Sequence, residues 1–175
     1  MAEPLQVPLR DDGDIPNNPR LPMLVYKGVA HPEGGSAEDA LEALFAAHGW
    51  GNGWRGGVIY DFHHYHACCH EVVGIGRGTA RIQFGGPQGP VLQVAAGDAV
   101  LIPAGVGHCR LDADPELSVV AAYPPGSSPD MHRQGEPDGR ALRDQIARVG
   151  IPDNDPVLGG EGGVSTLWRE DRSDG

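Results

Sequence analysis

Four histidines fall within the eight residues from His63 to His70, in the run DFHHYHACCHEVVGIGRG. His64 and His66 stand two apart, so in a strand both imidazoles leave the same face, the one shared by Tyr60 and Phe62. Two imidazoles on one face can hold one metal ion. Glu71 opens the next strand, where Val73 and Ile75 share its parity and give it an apolar surround. A carboxylate on an inward apolar face needs a cation. Further on, in GDAVLIPAGVGHCRLD, Gly97, Pro103 and Gly105 make a tight turn between two strands that aims His108 back toward the same interior. Three imidazoles and one carboxylate then converge. The alternative is that the three are hydrogen-bonded core histidines.

Parity also sorts the neighbours. Tyr60 and Phe62 precede His64 on its face and Arg110 follows His108 on its own, which makes these three the candidate substrate contacts. Arg110 either clamps a carboxylate bidentately or pairs with Asp112 or Asp114. Tyr123 and Gln83 are weaker candidates. His63 belongs to the opposite, exposed face. His70 either joins the metal site, as a ligand or as a support to one, or makes a backbone hydrogen bond. Cys68 and Cys69 either compete for a soft metal or are small buried residues, and Cys109 faces away from His108.

The elements that must position these groups follow from the periodicity. Residues 1–22 carry five prolines and a polar string, an irregular arm before a strand at Met23–Lys27. Ser36 caps a helix with Ala40, Leu41, Leu44, Phe45 and His48 at helical spacing, ended by Gly49. Trp50 to Gly57 reads as a glycine-rich loop whose Trp50 and Trp54 either cover a barrel opening or pack the helix onto the sheet. From Val58 to Tyr123 the period is 2, with about six strands separated by turns. Residues 124–139 read as a linker, 141–149 as a short helix, and the rest as a loop that Trp168 docks. The organisation is therefore 1–56 as arm, strand and helix, 57–123 as a small antiparallel barrel, and 124–175 as linker, short helix and tail.

Composition agrees with one turn-rich β domain. The 175 residues include 27 Gly and 16 Pro, too many for a helical bundle, while 39% apolar content suffices for a core. A net charge of −11 gives no footprint for nucleic acid or an anionic membrane surface, and no apolar run approaches the ~20 residues that span a bilayer. Three cysteines form no disulfide framework, so a reduced, cytoplasmic setting is expected.

The spacing His64, one, His66, four, Glu71, six, Gly78, followed by Gly97, five, Pro103, one, Gly105, two, His108, resembles the two motifs of the cupin superfamily. Gly57 lies seven positions before His64 where that family usually has six, and Asp112 stands where Asn is usual. The stretches DDGDIPNNPRLPMLVYKG, HHYHACCHEVVG and IPAGVGH look like the small single-domain bacterial cupins of the YjlB type. The resemblance implies an all-β-dominated fold, the double-stranded β-helix, with an N-terminal helix and a C-terminal helical tail. It also implies one divalent ion (Fe, Mn, Ni, Zn or Cu) on His64, His66, Glu71 and His108, and pairing of two barrels as a homodimer. Mixed nitrogen and oxygen donors do not select the metal. A divalent ion with one carboxylate leaves a net +1, which favours a small polar or anionic ligand. Oxygenase or oxidase chemistry is the leading expectation, and non-catalytic ligand capture or metal-dependent isomerisation are the alternatives, the last needing His70 or Tyr60 as proton carrier.

Overall fold

The computed structural model describes residues 2–31, 34–137 and 139–169. Along the chain its strands are β1 (Leu5–Val7), β2 (Met23–Tyr26), β3 (Gly51–Gly57), β4 (His64–Tyr65), β5 (Glu71–Arg77), β6 (Thr79–Phe84), β7 (Val91–Ala95), β8 (Ala99–Ile102), β9 (His108–Ala113), β10 (Ser118–Tyr123) and β11 (His132–Arg133). They form two antiparallel sheets, ordered β1-β2-β8-β5-β10-β3 and β11-β4-β9-β6-β7. Two helices, α1 (Ala37–Ala47) and α2 (Gly139–Arg148), complete the fold.

Strict alternation in β5 shows why the sheets stack. Val73 and Ile75 point inward with Val100, Ile102 and Val119, and meet Ala80, Ile82, Phe84 and Val94 of the other sheet. Val72 points outward, where Leu41 and Phe45 of α1 pack with Trp50 and Trp168. Each face of the first sheet is thus apolar, and each is covered. A third cluster of Ile15, Tyr65, Ala67, Ala104 and Ile146 brings the N-terminal arm and α2 together beneath the histidine-bearing segment.

Helix α1 starts as expected, with Ser36 Oγ accepting from the Asp39 N–H at 3.1 Å. Several expectations need correction. The glycine-rich segment after Trp50 is an edge strand, β3, paired with β10. Its glycines permit this: a Cβ on Gly53 would lie 1.7 Å from the Ala121 carbonyl oxygen. The arm contains β1, which covers the edge that β2 would otherwise expose. Between Val58 and Tyr123 there are seven strands where six were expected, because His64–Tyr65 pairs separately from β5. The 124–139 stretch carries β11, and the final segment forms a π-helical turn at Val164–Trp168. Trp50 packs in the helix cluster, its Nε1 donating to the Asn154 carbonyl at 3.0 Å, whereas Trp54 is half-exposed on β3.

The docked tail is as anticipated. Trp168 is buried and its Nε1 donates to the Pro22 carbonyl at 2.9 Å. Asp155 orders the same region: Oδ1 accepts from the Val157 and Leu158 N–H groups, and Oδ2 from the Val164 N–H and the Tyr26 hydroxyl. Among the described residues, no helix is long and apolar enough to cross a membrane.

Candidate metal centre

The three motif histidines come from the second sheet and Glu71 from the first. His64 and His108 are direct partners in the β4–β9 ladder, and His66 follows β4. Glu71 begins β5 opposite Ile102. One ligand nitrogen from each of His64, His66 and His108 lies within 4.8 Å of the other two. Glu71 Oε2 approaches to 2.9 Å from His66 Nε2 and 3.4 Å from His108 Nε2.

The ring orientations are fixed from behind. Nδ1 of His64 faces the Phe62 carbonyl at 3.0 Å, Nδ1 of His66 faces the Asp130 carbonyl, and Nδ1 of His108 faces the Val106 carbonyl at 3.1 Å. A carbonyl only accepts, so each Nδ1 carries the proton, and in the neutral ring each Nε2 presents its lone pair inward. Glu71 Oε2 is buried, and despite its two near neighbours it receives no hydrogen bond of acceptable direction. Three imidazole nitrogens this close, with a carboxylate oxygen beside two of them, repel unless a cation or protons lie between them. The three histidines lie close enough to hold a metal ion.

The electrostatics differ between the imidazoles. Burial, reinforced by His108, pushes His64 down to about 3, which favours the neutral ring that a metal requires. Burial acts in the same sense on His66, yet Glu71 and the Asp130 carbonyl outweigh it and raise its pKa. Burial would likewise raise Glu71, but His108 and His66 beside it hold the carboxyl far below the usual range. The Tyr123 hydroxyl donates to Glu71 Oε1 at 3.2 Å and lies 3.2 Å from Trp54 Nε1, which donates to it.

The turn that delivers His108 is tied down by the arm. Gly105 has φ +89°, its N–H donates to the His66 carbonyl at 2.7 Å, and a Cβ there would meet the Asn17 carbonyl oxygen at 2.5 Å. The Asn17 amide donates to the carbonyls of Arg10 and Gly85, and its Oδ1 accepts from the Gly107 N–H at 3.1 Å. Asn18 donates to the Ala104 carbonyl at 3.0 Å. These supports carry no periodic signal, although both asparagines stand in a polar arm that parity does not interpret.

Asp130 was also missed, because it sits in a stretch that reads as linker. Its Oδ1 accepts from the N–H groups of Ala67 at 2.8 Å and Cys68 at 3.2 Å, while its carbonyl holds His66. No spacing in the sequence joins positions 64 residues apart.

The other candidates divide. Tyr60 stands beside His64, with ring centroids 5.2 Å apart, and lines the cavity over the histidines. Phe62 stacks on Tyr60 at 4.8 Å and carries the Arg133 guanidinium on its face, outside that cavity lining. Arg110 is also outside the lining: its Nε donates to the Ile59 carbonyl at 2.9 Å, and Arg81 takes Asp112 instead. His70 accepts at Nδ1 from the Ala104 N–H at 2.9 Å and donates from Nε2 to the Gly150 carbonyl at 3.0 Å. Both nitrogens are committed to backbone, so the hydrogen-bonding reading of His70 holds and a part in the metal site does not. Gln83 serves a hairpin, donating to the Pro87 and Gly89 carbonyls. His63, expected to be exposed, is partly buried. The Cys68 thiol donates to the Ser128 carbonyl at 3.1 Å, and burial pushes Cys68, Cys69 and Cys109 upward, as expected of packed thiols.

The cavity above the histidines has a volume of about 600 Å³. A slightly larger one, about 650 Å³, lies between α2, the segment after it and Cys68–His70, and none of the four candidate ligands lines it. No family model matches the chain. It is 41% identical over 160 residues, 90% of its own length and 92% of the relative's, to the protein of Bacillus subtilis (strain 168) described as uncharacterized protein YjlB. With that identity sustained across nearly the whole of both chains, this protein belongs to the YjlB family.

Proposed function

We propose that the chain is a cupin-type metalloenzyme in which His64, His66, Glu71 and His108 hold one divalent ion, and that it acts as an oxygenase or oxidase on a small organic molecule. The observation that carries this reading is the convergence of three backbone-oriented imidazoles, with a buried Glu71 oxygen 2.9 Å from His66 Nε2 and 3.4 Å from His108 Nε2. When bound there, a redox-active divalent ion supplies Lewis acidity and electron transfer toward dioxygen. The chain's own residues orient the donors. The Phe62, Asp130 and Val106 carbonyls fix the imidazoles, and Tyr123 holds Glu71. Four protein donors leave up to two positions of a six-coordinate ion for substrate and dioxygen.

Isomerisation loses one of its two proton carriers, since both His70 nitrogens bond backbone. Elemental analysis of the purified protein is expected to find about one ion per chain, lost in His108→Ala and Glu71→Ala, with Fe(II)-dependent oxygen uptake when a substrate is supplied. Stoichiometric metal that survives both substitutions overturns the site. Metal without oxygen uptake on any substrate leaves a ligand-capturing module in its place.

A further inference from the structure

Among the described residues, the large apolar side chains left exposed are unevenly distributed. They are Leu5, Trp54, Val58, Tyr60, Val91, Leu111 and Met131, and four of them, Trp54, Val58, Tyr60 and Met131, line the single cavity over the histidines. Those four are between 37% and 51% exposed and come from β3, the segment that follows it and the stretch before β11. Scattered exposed apolar residues are ordinary, but a cluster at the mouth of a cavity marks a binding surface.

The polar side of the same cavity is equally selective. Its polar side chains are the four candidate ligands, Trp54, Tyr60, Tyr123 and Asp130, with no lysine or arginine. The arginines on β3, β9 and β11 are engaged elsewhere, Arg55 on Asp39 and Glu42, Arg110 on the Ile59 carbonyl and Arg133 on the face of Phe62. A second anionic group on a ligand would therefore meet Asp130 and apolar wall without a counter-charge. A planar apolar body, in contrast, finds Tyr60, Trp54 and Met131 around it, and a cavity of about 600 Å³ takes about one or two rings.

Resting on the metal-centre reading above, we infer that the substrate is a molecule with a flat apolar body, aromatic in type, that meets the ion through a single oxygen-bearing head and carries no second anionic group. This narrows the small polar or anionic ligand suggested by the charge of the site. The head takes one open position and leaves the other for dioxygen, and the body lies against Tyr60 and Met131 at the mouth.

The test uses the full chain loaded with Co(II) and three hydroxamates that share one metal-binding head and differ in the body: benzohydroxamate with an aromatic body, acetohydroxamate with almost none, and phosphonoacetohydroxamate with an added anionic group. Affinities are read by titration of the Co(II) visible spectrum and by calorimetry. Benzohydroxamate is expected to bind at least about tenfold tighter than acetohydroxamate, and the phosphonate weaker than either. Tyr60→Ser and Met131→Ser, both at exposed positions, each narrow the benzo-to-aceto ratio. Equal affinities for benzo- and acetohydroxamate, or tightest binding of the phosphonate, overturn the substrate class while the metal centre stands. Co(II) binding that is absent, or indifferent to His108→Ala, overturns the metal centre itself, and the substrate class with it.

Discussion

His66 Nδ1 and the main-chain carbonyl of Asp130 are hydrogen-bonded across 64 residues of sequence, and the Asp130 carboxylate reaches back to the Ala67 and Cys68 N–H groups. The same residue thus fixes both the ring of His66 and the backbone that carries it. Asp130→Ala frees the segment and is expected to weaken metal binding about 10- to 100-fold, the usual effect of removing a group that orients a ligand. Asp130→Asn keeps an acceptor at Oδ1 and the carbonyl in place, so its affinity stays within a fewfold of the native protein. Equilibrium dialysis against a buffered Zn(II) series measures both. Equal losses in the two variants mean that charge, not position, is what Asp130 supplies.

Metal binding must displace a proton from His66. Burial disfavours the charged ring, but Glu71 outweighs it and the pKa is raised, so the proton is retained to higher pH than in an ordinary imidazole. Affinity is therefore expected to climb as pH rises through and beyond about 6.5, with more than half a proton released from His66 per ion at about pH 6.5 and progressively fewer as pH rises further. Zn(II) calorimetry in two buffers of different ionisation enthalpy counts the protons. In Glu71→Gln the raising charge is gone, and the release at pH 6.5 is expected to shrink along with the affinity.

The parts of this protein legible in sequence are those governed by period. The two-residue spacing put His64 and His66 on one face, the parity of Glu71 with Val73 and Ile75 put the carboxylate inside, and the Pro103–Gly105 turn returned His108 to them. The same rule fails for the far end of a long side chain. Arg110 keeps the register of the ligand strand, but its guanidinium turns to the Ile59 carbonyl outside the cavity lining. Asp130, Asn17 and Asn18 act through side-chain contacts between distant segments, for which no local pattern exists. The Gly51–Gly57 segment misleads for a third reason: its low strand propensity is overridden by pairing to β10.

His70 should make the fold acid-sensitive. Its ring is buried between the Ala104 N–H and the Gly150 carbonyl, 4.9 Å from the Trp168 ring, and burial lowers its pKa from 6.5 to about 4. Below pH 6.5 the unfolded chain takes up the proton first, so the contribution of the neutral ring is full above 6.5 and is lost as pH falls toward 4. The loss amounts to about 3 kcal/mol. Denaturant unfolding of the metal-free protein, measured from pH 7.5 to 4, is expected to show a steeper fall than His70→Gln, which has no titrating ring at this position. Parallel slopes would remove His70 as a source of the acid sensitivity.

Asn17 tests whether the arm belongs to the site's scaffold. It is 1% exposed, has φ +52°, and joins Arg10, Gly85 and Gly107 through one amide. Asn17→Ala leaves the Gly107 N–H and two carbonyls without these partners and puts alanine in a left-handed conformation that asparagine tolerates better. A loss of about 3 kcal/mol in unfolding free energy is expected, from one unsatisfied buried donor together with the backbone term. Because Gly107 immediately precedes His108, the same variant is expected to weaken Zn(II) binding more than an equally destabilising change far from the turn, such as Asp98→Ala at the other end of β8, which removes the acceptors of the Gly28 and Ala95 N–H groups. If the two variants lose stability equally and metal affinity equally, the arm supports the fold in general and not the position of His108.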